Sequence, residues 1–295
     1  MCFANTHMHS TFSDGVHTPE KLIELGIKFG HKAMLLTDHD TISGLHRFNK
    51  AARKAGILTM ISTEIGALTS FGRCHIVCVD FNTENKEVRK MLSHSAACTT
   101  ELTHYLFEEG LKNGTLRKGI TWQQLRDAMP DQDYLCNNHI FDILVENGIY
   151  KKEEYGEFYN SNFAIPKPRK LQLQNELGYH QYQAEQAIDI IRKADGVPII
   201  AHPTEKGKYF FKEEAEKYIK MGVMGFEVCH PSMSEDEKEF YNKICDQYGL
   251  YKMGGIDHHG VIGGFCDVLE GHDAEPCEGY IDEQNFMKLY KRELG

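Results

Sequence analysis

Toward both ends of the chain, short apolar runs alternate with stretches of helical period, and the runs stop abruptly in His, Asp or Glu. Thr18-Pro19-Glu20 is a helix start, with Thr18 as cap and Pro19 in the first turn, where its missing N–H costs little. The spacing predicts a helix from Pro19 to about Phe29 that stops at Gly30. Residues 33–37 read as a buried strand and end in Asp38-His39-Asp40. A second helix carries Leu45, Phe48, Ala52 and Ala55 on one face and closes at Gly56. Residues 57–61 form the next strand, with Glu64 just beyond it, and 74–79 a fourth, carrying His75. Later come a helix over 186–193, a strand over 197–201 ending at His202, and a helix over 213–221. A strand over 224–228 runs into Cys229-His230, a helix covers 236–248, and a strand over 250–255 ends at Asp257. With residues 2–6, that makes seven strands mostly alternating with helices, which predicts an α/β fold of parallel βα units, closed as a barrel or left as an open sheet.

The middle of the chain breaks the pattern. Residues 91–165 read as polar and helical, with helices over 94–109, 122–129 and 140–147, and Ile165-Pro166-Lys167-Pro168-Arg169 follows as an extended linker. The expected organisation is a barrel domain made of 1–90 and 166–295, with 91–165 inserted to cap its mouth and Trp122 as an anchor.

Composition narrows the function. Among 295 residues, 43 acidic and 33 basic side chains leave a net charge of −10, which argues against a broad nucleic-acid surface. An anionic substrate remains open, because bound metal reverses the local sign. No stretch approaches the roughly 18 apolar residues of a membrane span, and the first residues lack the basic start and apolar run of a signal peptide. Nine cysteines, an odd number without a Cys-x-x-Cys pair, read as reduced packing residues of a cytoplasmic protein.

The 16 histidines carry the chemical signal, because many sit beside carboxylates at strand ends. His7 and His9 follow the first strand, Asp14 lies in the loop beyond, and His39 follows the second. Glu64, His75, His202, Asp257 and His259 occupy the corresponding places on later strands. In a parallel barrel those ends meet at one mouth. The spacing of His7-Met8-His9 puts two imidazoles on one side of a strand. Nitrogen and oxygen donors without a thiolate suit Zn, Mn or Fe.

Thr6-His7-Met8-His9-Ser10, Ser13-Asp14-Gly15, Leu36-Thr37-Asp38-His39-Asp40, Glu64, His75, Ala201-His202-Pro203, Gly225-Phe226-Glu227-Val228 and Gly255-Ile256-Asp257-His258-His259 together resemble the polymerase and histidinol phosphatase (PHP) family. The resemblance runs in order over nearly the whole chain and is nearest to the nucleotide and small-metabolite phosphoesterases. It implies a distorted seven-stranded (β/α) barrel with a helical insertion and a site for three divalent ions (Mn, Fe or Zn). By resemblance, His7, His9, Glu64 and Asp257 hold one ion, and Glu64, His75 and His202 a second. Asp14, His39 and His259 hold the third, and a water bridging two ions is the nucleophile.

The resemblance also places His139 of the insertion toward the phosphate and His230 beside the mouth, where either imidazole can protonate the leaving oxygen. The competing reading for each is a surface histidine. The implied catalytic set is thus His139, His230 and Asp257, and the substrate contacts are His139, Asp14, His39, His230 and Lys206. Asp38 and Asp40 are expected to orient His39 and its neighbours, and Glu227 is either a structural strand-end acid or part of the site. The chain departs from its relatives at Ser93-His94-Ser95-Ala96-Ala97-Cys98, which supplies no arginine, at Thr204-Glu205-Lys206 and at His258. Lys206, Lys208 and Arg169 are the residues that can restore the missing positive charge, and Gly260 to Gly264 can bring backbone N–H groups to an anion.

The leading reading is a hydrolase of a phosphate ester of a small metabolite, a nucleotide or sugar phosphate, cyclic esters included. A 5'-3' exonuclease on RNA or DNA is the alternative. A non-catalytic metal-binding domain ranks below both because all nine ligand positions are filled. The sequence leaves the oligomeric state open.

Overall fold

The computed structural model describes residues 3–204, 211–262 and 281–293. Lys206, Lys208, Gly263 and Gly264 lie outside them. Strand β1 (Ala4–Asn5) pairs in parallel with β2 (Ala33–Met34). A second, five-stranded sheet has the order β3 (Ser62–Thr69), β4 (Gly72–Val79), β5 (Val197–Ile200), β6 (Gly225–Cys229) and β7 (Tyr251–Gly254).

Helix α1 (Pro19–Phe29) begins and ends where the sequence predicts. The Thr18 hydroxyl accepts from the Lys21 N–H, and Gly30 turns left-handed at φ 79° to close it. Helix α2 (Leu45–Ala55) closes in the same way at Gly56. Together they bury Leu22, Ile23, Phe48 and Ala52 against Met8, Met34 and Leu36.

Seven strands are present, six of them where expected, but their connection is not the all-parallel one expected. β3 and β4 form an antiparallel hairpin in register from Ser62↔Val79 to Thr69↔Gly72, and β4 is also antiparallel to β5. Within the five-stranded sheet only β5, β6 and β7 run parallel, with α9 (Phe211–Met221) and α10 (Glu235–Tyr248) as the intervening helices. The physical reason is local: the two residues between Thr69 and Gly72 suffice for a hairpin, whereas a parallel neighbour needs a crossover. The third strand is also displaced. Residues 57–61 contribute a single bridge, Ala33↔Leu58, and Glu64 lies inside β3 rather than beyond a strand.

No closed sheet forms among the described residues. The two sheets are linked by the isolated bridges Met8↔His258 on one side and His39↔Glu64 on the other. The main core fills the space between sheet and helices with Ile65, Ile76, Val77, Ile199, Phe226 and Tyr241, all at most 1% exposed.

The middle segment is helical, as expected, and longer in its first element. Helix α3 (Lys86–Asn113) is followed by α4 (Trp122–Ala128), α5 (Asn137–Glu146), α6 (Tyr155–Asn162), α7 (Lys167–Glu176) and α8 (Ala184–Lys193). The expected extended linker is shorter than predicted. Pro166 caps α7, and Pro168 sits in its first turn, where its missing N–H is tolerated. The segment has its own core of Phe107, Leu125, Ile140, Phe141, Leu144 and Phe158. Trp122 packs on its edge, stacked 4.4 Å from the His104 ring. No helix of the described residues is long and apolar enough to cross a membrane.

Phe141 is fully buried and meets the rings of Tyr150, Tyr155 and Phe158. Phe141→Ala should lower unfolding free energy by about 3–5 kcal/mol, measured by urea denaturation.

Candidate active site

The site begins where β1 ends. Thr6 and His9 are held to the other sheet by backbone hydrogen bonds, from Thr6 N–H to the Gly254 carbonyl (3.2 Å) and from His9 N–H to the His258 carbonyl (2.8 Å). These fix His7 and His9 beside the end of β7. The chain then folds back tightly, with Ser13 and Gly15 N–H groups both donating to the Ser10 carbonyl. Gly15 is required there because a Cβ would collide with the His9 carbonyl. Buried Asp38 locks this loop. It accepts from Ser10 N–H (2.6 Å), Ser10 O–H (2.7 Å) and Ser13 O–H (2.8 Å). Asp38 therefore positions the loop that carries Asp14, rather than His39 as expected.

At the other strand ends the backbone is unusual. Asp40, His202 and Asp257 have φ of 55°, 26° and 53°, a region costly for residues with a side chain. That geometry turns His39, His202, Asp257 and His259 inward.

Glu64 is the hub, with no exposed surface. Its Oε2 lies 3.3 Å from His7 Nε2, 3.4 Å from His9 Nε2 and 3.1 Å from His39 Nδ1. Its Oε1 lies 3.2 Å from His75 Nδ1 and 3.1 Å from His202 Nε2. Asp257 Oδ1 adds contacts to His7 Nε2 (3.2 Å) and His9 Nε2 (2.9 Å). Asp14 Oδ1 stands 3.3 Å from His259 Nε2, and its Oδ2 3.6 Å from His39 Nε2.

Three ligand groups result, each with donor atoms within 4.8 Å of one another: His7, His9, Glu64 and Asp257; His9, Asp14, His39 and His259; and His39, Glu64 and His75. The nine residues singled out from the sequence thus come together. Two differences appear. His9 and His39 each span two groups, and His202 reaches the cluster through Glu64 rather than within a group of its own.

These donors fit divalent ions. His7 Nε2, Asp14 Oδ1, Glu64 Oε2 and His75 Nδ1 are buried and accept or donate no hydrogen bond among the described residues, which is costly unless something else binds them. Their hard-to-intermediate N and O character suits Zn, Mn or Fe.

The charges are strongly coupled. Burial pushes the Glu64 carboxyl up, but the His7, His75 and His39 charges outweigh it and hold it well below its ordinary value. Asp14 and Asp257 are likewise lowered against burial, by His39 and His259 and by His7 and His259. His7 is raised against burial by Glu227, Glu64 and Asp257, and His259 is raised to about 10 by Asp14 and Asp257. Burial wins at His39 and His75, lowering them to about 3 and about 4.

Beyond the donors, Glu227 resolves in favour of the site. It is fully buried on β6, with Oε1 2.7 Å from His7 Nδ1 and Oε2 accepting the His202 backbone N–H at 2.5 Å. It thereby fixes the orientation of one imidazole and the strained backbone of another, as carboxylates behind metal-ligating histidines do. An acid inside an otherwise apolar strand was the signal in the sequence.

His139 is placed differently from the expectation. Its Nδ1 accepts the Cys136 N–H (3.0 Å) and its Nε2 faces the Thr11 carbonyl (3.1 Å), so both ring nitrogens are committed to backbone. Asn138 donates to the Asp14 carbonyl (2.6 Å), Cys136 Sγ to the Ser13 carbonyl (3.4 Å) and Gln132 to the Thr11 carbonyl (2.8 Å). The start of α5 therefore clips the insertion to the Asp14 loop, and His139 belongs to that clip. His230 is buried beside His202, ring centroids 5.6 Å apart. Because Ser232 N–H donates to its Nδ1 (3.2 Å), the neutral ring carries its proton on Nε2, which has no hydrogen bond among the described residues.

A cavity of ≈160 Å³ opens from Asp14, His259 and Gly260 and runs under the insertion, lined by Leu102, Leu106, Tyr134, Asn138, Tyr155, Tyr159, Phe163 and Lys170. Sequence reasoning missed Tyr134, Asn138 and Lys170, because nothing in their local pattern shows what they face.

In protein stripped of ions by chelator, His7, His9 and His259 hold protons in the folded state above their ordinary value of 6.5. Their stabilising contribution is complete below pH 6.5 and is lost as pH rises through their folded values, about 10 for His259, so thermal stability of the stripped protein should fall as pH rises from about 6.5 toward about 10. Ion-loaded protein should lack that slope, because metal replaces those protons. Glu227→Gln should keep the fold and weaken metal retention by roughly 10–100-fold, measured by elemental analysis after dialysis against graded chelator.

Comparison with known proteins agrees with this geometry. The chain is 26% identical over 286 residues to the 3',5'-nucleoside bisphosphate phosphatase of Chromobacterium violaceum, covering 94% of each chain. It is 25% identical over 260 residues to the 5'-3' exoribonuclease of Haemophilus influenzae, covering 86% of this chain and 88% of that one. Its fold superposes on a candidate metal-dependent phosphoesterase of Bifidobacterium adolescentis with a TM-score of 0.75 at 23% identity, covering 100% of this chain and 97% of the other. The family model for the PHP domain matches residues 5–174, more than half of the sequence and six of the nine clustered donors, and on that match the chain belongs to the PHP domain family.

Proposed function

We propose that this protein is a metal-dependent phosphoesterase that hydrolyses a phosphate ester of a small metabolite, a nucleotide or sugar phosphate, open-chain or cyclic. The single observation that carries the reading is the convergence of six imidazoles and three carboxylates on one buried patch that adjoins a cavity through Asp14 and His259. His7, His9, Glu64 and Asp257 would hold one of three divalent ions (Mn, Fe or Zn), Glu64, His75 and His202 a second, and Asp14, His39 and His259 the third. When bound, such ions supply positive charge for phosphate oxygens and make water a stronger acid.

The chain's own residues do the rest. Glu64 would serve two of these ions, and its two oxygens face different sets of imidazoles. Glu227 keeps His7 and His202 aimed. His230, with its proton set on Nε2, donates to an ester or leaving oxygen. The insertion, 91–165, covers the mouth formed by 1–90 and 166–295, and its contacts with Thr11, Ser13 and Asp14 hold the Asp14 loop against the cluster. Residues 1–90 and 166–295 are read as a distorted seven-stranded barrel whose seams are the single bridges between the two sheets. Water exclusion by this cap strengthens every charge interaction beneath it.

Purified protein should contain about three divalent ions per chain by elemental analysis. A panel of nucleotides, sugar phosphates, cyclic phosphates and short RNA should release phosphate from the small esters in preference to RNA. Release of mononucleotides from RNA as the dominant activity would favour the exonuclease reading instead. Glu64→Gln should lower turnover by more than about 100-fold with the fold retained by circular dichroism. Full activity in that variant would refute the assignment.

A further inference from the structure

The nine donors are not all held by the same means. Glu64 and His75 lie within the β3–β4 hairpin, and His7 and His9 are flanked by the backbone bonds to Gly254 and His258. Asp14 instead lies in the loop 10–17 between β1 and α1. Its side chain is the most exposed of the nine at 28%, followed by His75 at 17%, while those of His7, His9 and Glu64 have no exposed surface. The same loop also sets His259, because the Val16 N–H donates to the His259 carbonyl at 2.8 Å. Two members of the group His9, Asp14, His39 and His259 therefore depend on where this loop sits.

The insertion grips this group and leaves the rest of the cluster alone. Of its four hydrogen bonds to the loop, the one from Asn138 Nδ2 to the Asp14 carbonyl is the shortest, at 2.6 Å. The Asn138 amide is itself aimed, since its Oδ1 accepts from the Tyr155 hydroxyl (2.5 Å) and from Asn137 Nδ2 (2.9 Å). Beside His39, the Tyr134 ring stacks on the imidazole with centroids 6.3 Å apart, and Ser43 donates to Asp133 at 2.9 Å. No hydrogen bond or ring contact among the described residues joins the insertion to His7, Glu64, His75 or Asp257. His39 is shared with the group of Glu64 and His75, but Glu64 already fixes its Nδ1 at 3.1 Å. Asp14 has no such second anchor for its place at the cluster beyond its own loop and the insertion.

We propose that Asn138 is a positioning residue for one of the three ions, holding Asp14 where it can serve beside His39 and His259, so that this ion is the exchangeable one and binds together with docking of the insertion. The proposal rests on the metal-dependent reading of the cluster and deepens it. Holding a loop carboxylate in its bound place removes the cost of ordering it from the binding step. The coupling runs both ways: whatever affinity the docked insertion adds for that ion, the ion adds to the stability of the docked insertion. The other two positions, built on paired strands, form whether or not the insertion is seated. The full set of ions is then assembled only under a closed cap.

The test counts ions and watches the insertion, without any substrate. Wild type, Asn138→Leu and Asp14→Asn are loaded with Mn²⁺ and dialysed against graded chelator, and the ions retained are measured by elemental analysis. Wild type should release one ion per chain before the other two. N138L should release that ion at a chelator strength roughly 10–100-fold lower and keep the other two as wild type does, which also shows that it is folded. D14N leaves the partner of Asn138 intact, because that partner is a backbone carbonyl. Any change it makes in the insertion therefore passes through the ion. In the Mn²⁺-loaded state D14N should hold two ions, and amides of residues 130–139 should exchange with deuterium about 5-fold faster or more than in wild type, with β3 to β5 unchanged. Release of all three ions together from wild type, equal weakening of all three in N138L, an N138L indistinguishable from wild type, or wild-type protection of 130–139 in D14N overturns the proposal and leaves the metal-dependent reading intact. A wild type that retains no Mn²⁺ overturns both.

Discussion

A carboxylate with no contact to water must be neutralised on every side, and Glu64 meets that demand with five imidazoles divided between its two oxygens. An ion of this kind left unpaired in the interior would cost several kcal/mol. The surrounding backbone is arranged to prevent that. His7 and His9 come from the end of β1, His39 from the end of β2, His75 from β4 and His202 from the end of β5. Four strands besides β3, which carries Glu64, must therefore be in place before the charge is satisfied. The positive φ angles at Asp40, His202 and Asp257 are the local strain that this convergence requires.

The remaining polar residues serve to hold that arrangement. Glu227 and Asp38 are both buried carboxylates, yet neither joins the cluster directly as a donor group. Glu227 fixes one ring and one backbone N–H, and Asp38 fixes the loop that carries Asp14. The helical segment extends the same logic across the molecule, since Cys136, Asn138 and His139 reach three carbonyls of that loop. Position of the cap and position of Asp14 are thus mechanically joined.

Much of this was legible in the residues. Helix boundaries at Thr18, Gly30 and Gly56 follow from capping chemistry, which acts over a few residues. Most of the nine donors stood out because they end or interrupt an apolar run, and a run's end is visible in one dimension. The hairpin of β3 and β4 was read instead as part of a parallel series, because apolar runs look alike whichever direction their neighbour takes. His139 showed an imidazole in a suggestive place, but not that both its nitrogens are held by backbone.

The sequence by itself determined the donor chemistry and the alternation of elements, since both depend on residue type and short-range spacing. Tertiary structure alone decided which oxygen of Glu64 meets which ring, that Glu227 serves His7, that the start of α5 grips the Asp14 loop, and that Lys170 rather than a neighbour lines the cavity. Those are contacts across as many as 220 positions between His7 and Glu227, and such distances close only when the strands pair and the helices pack.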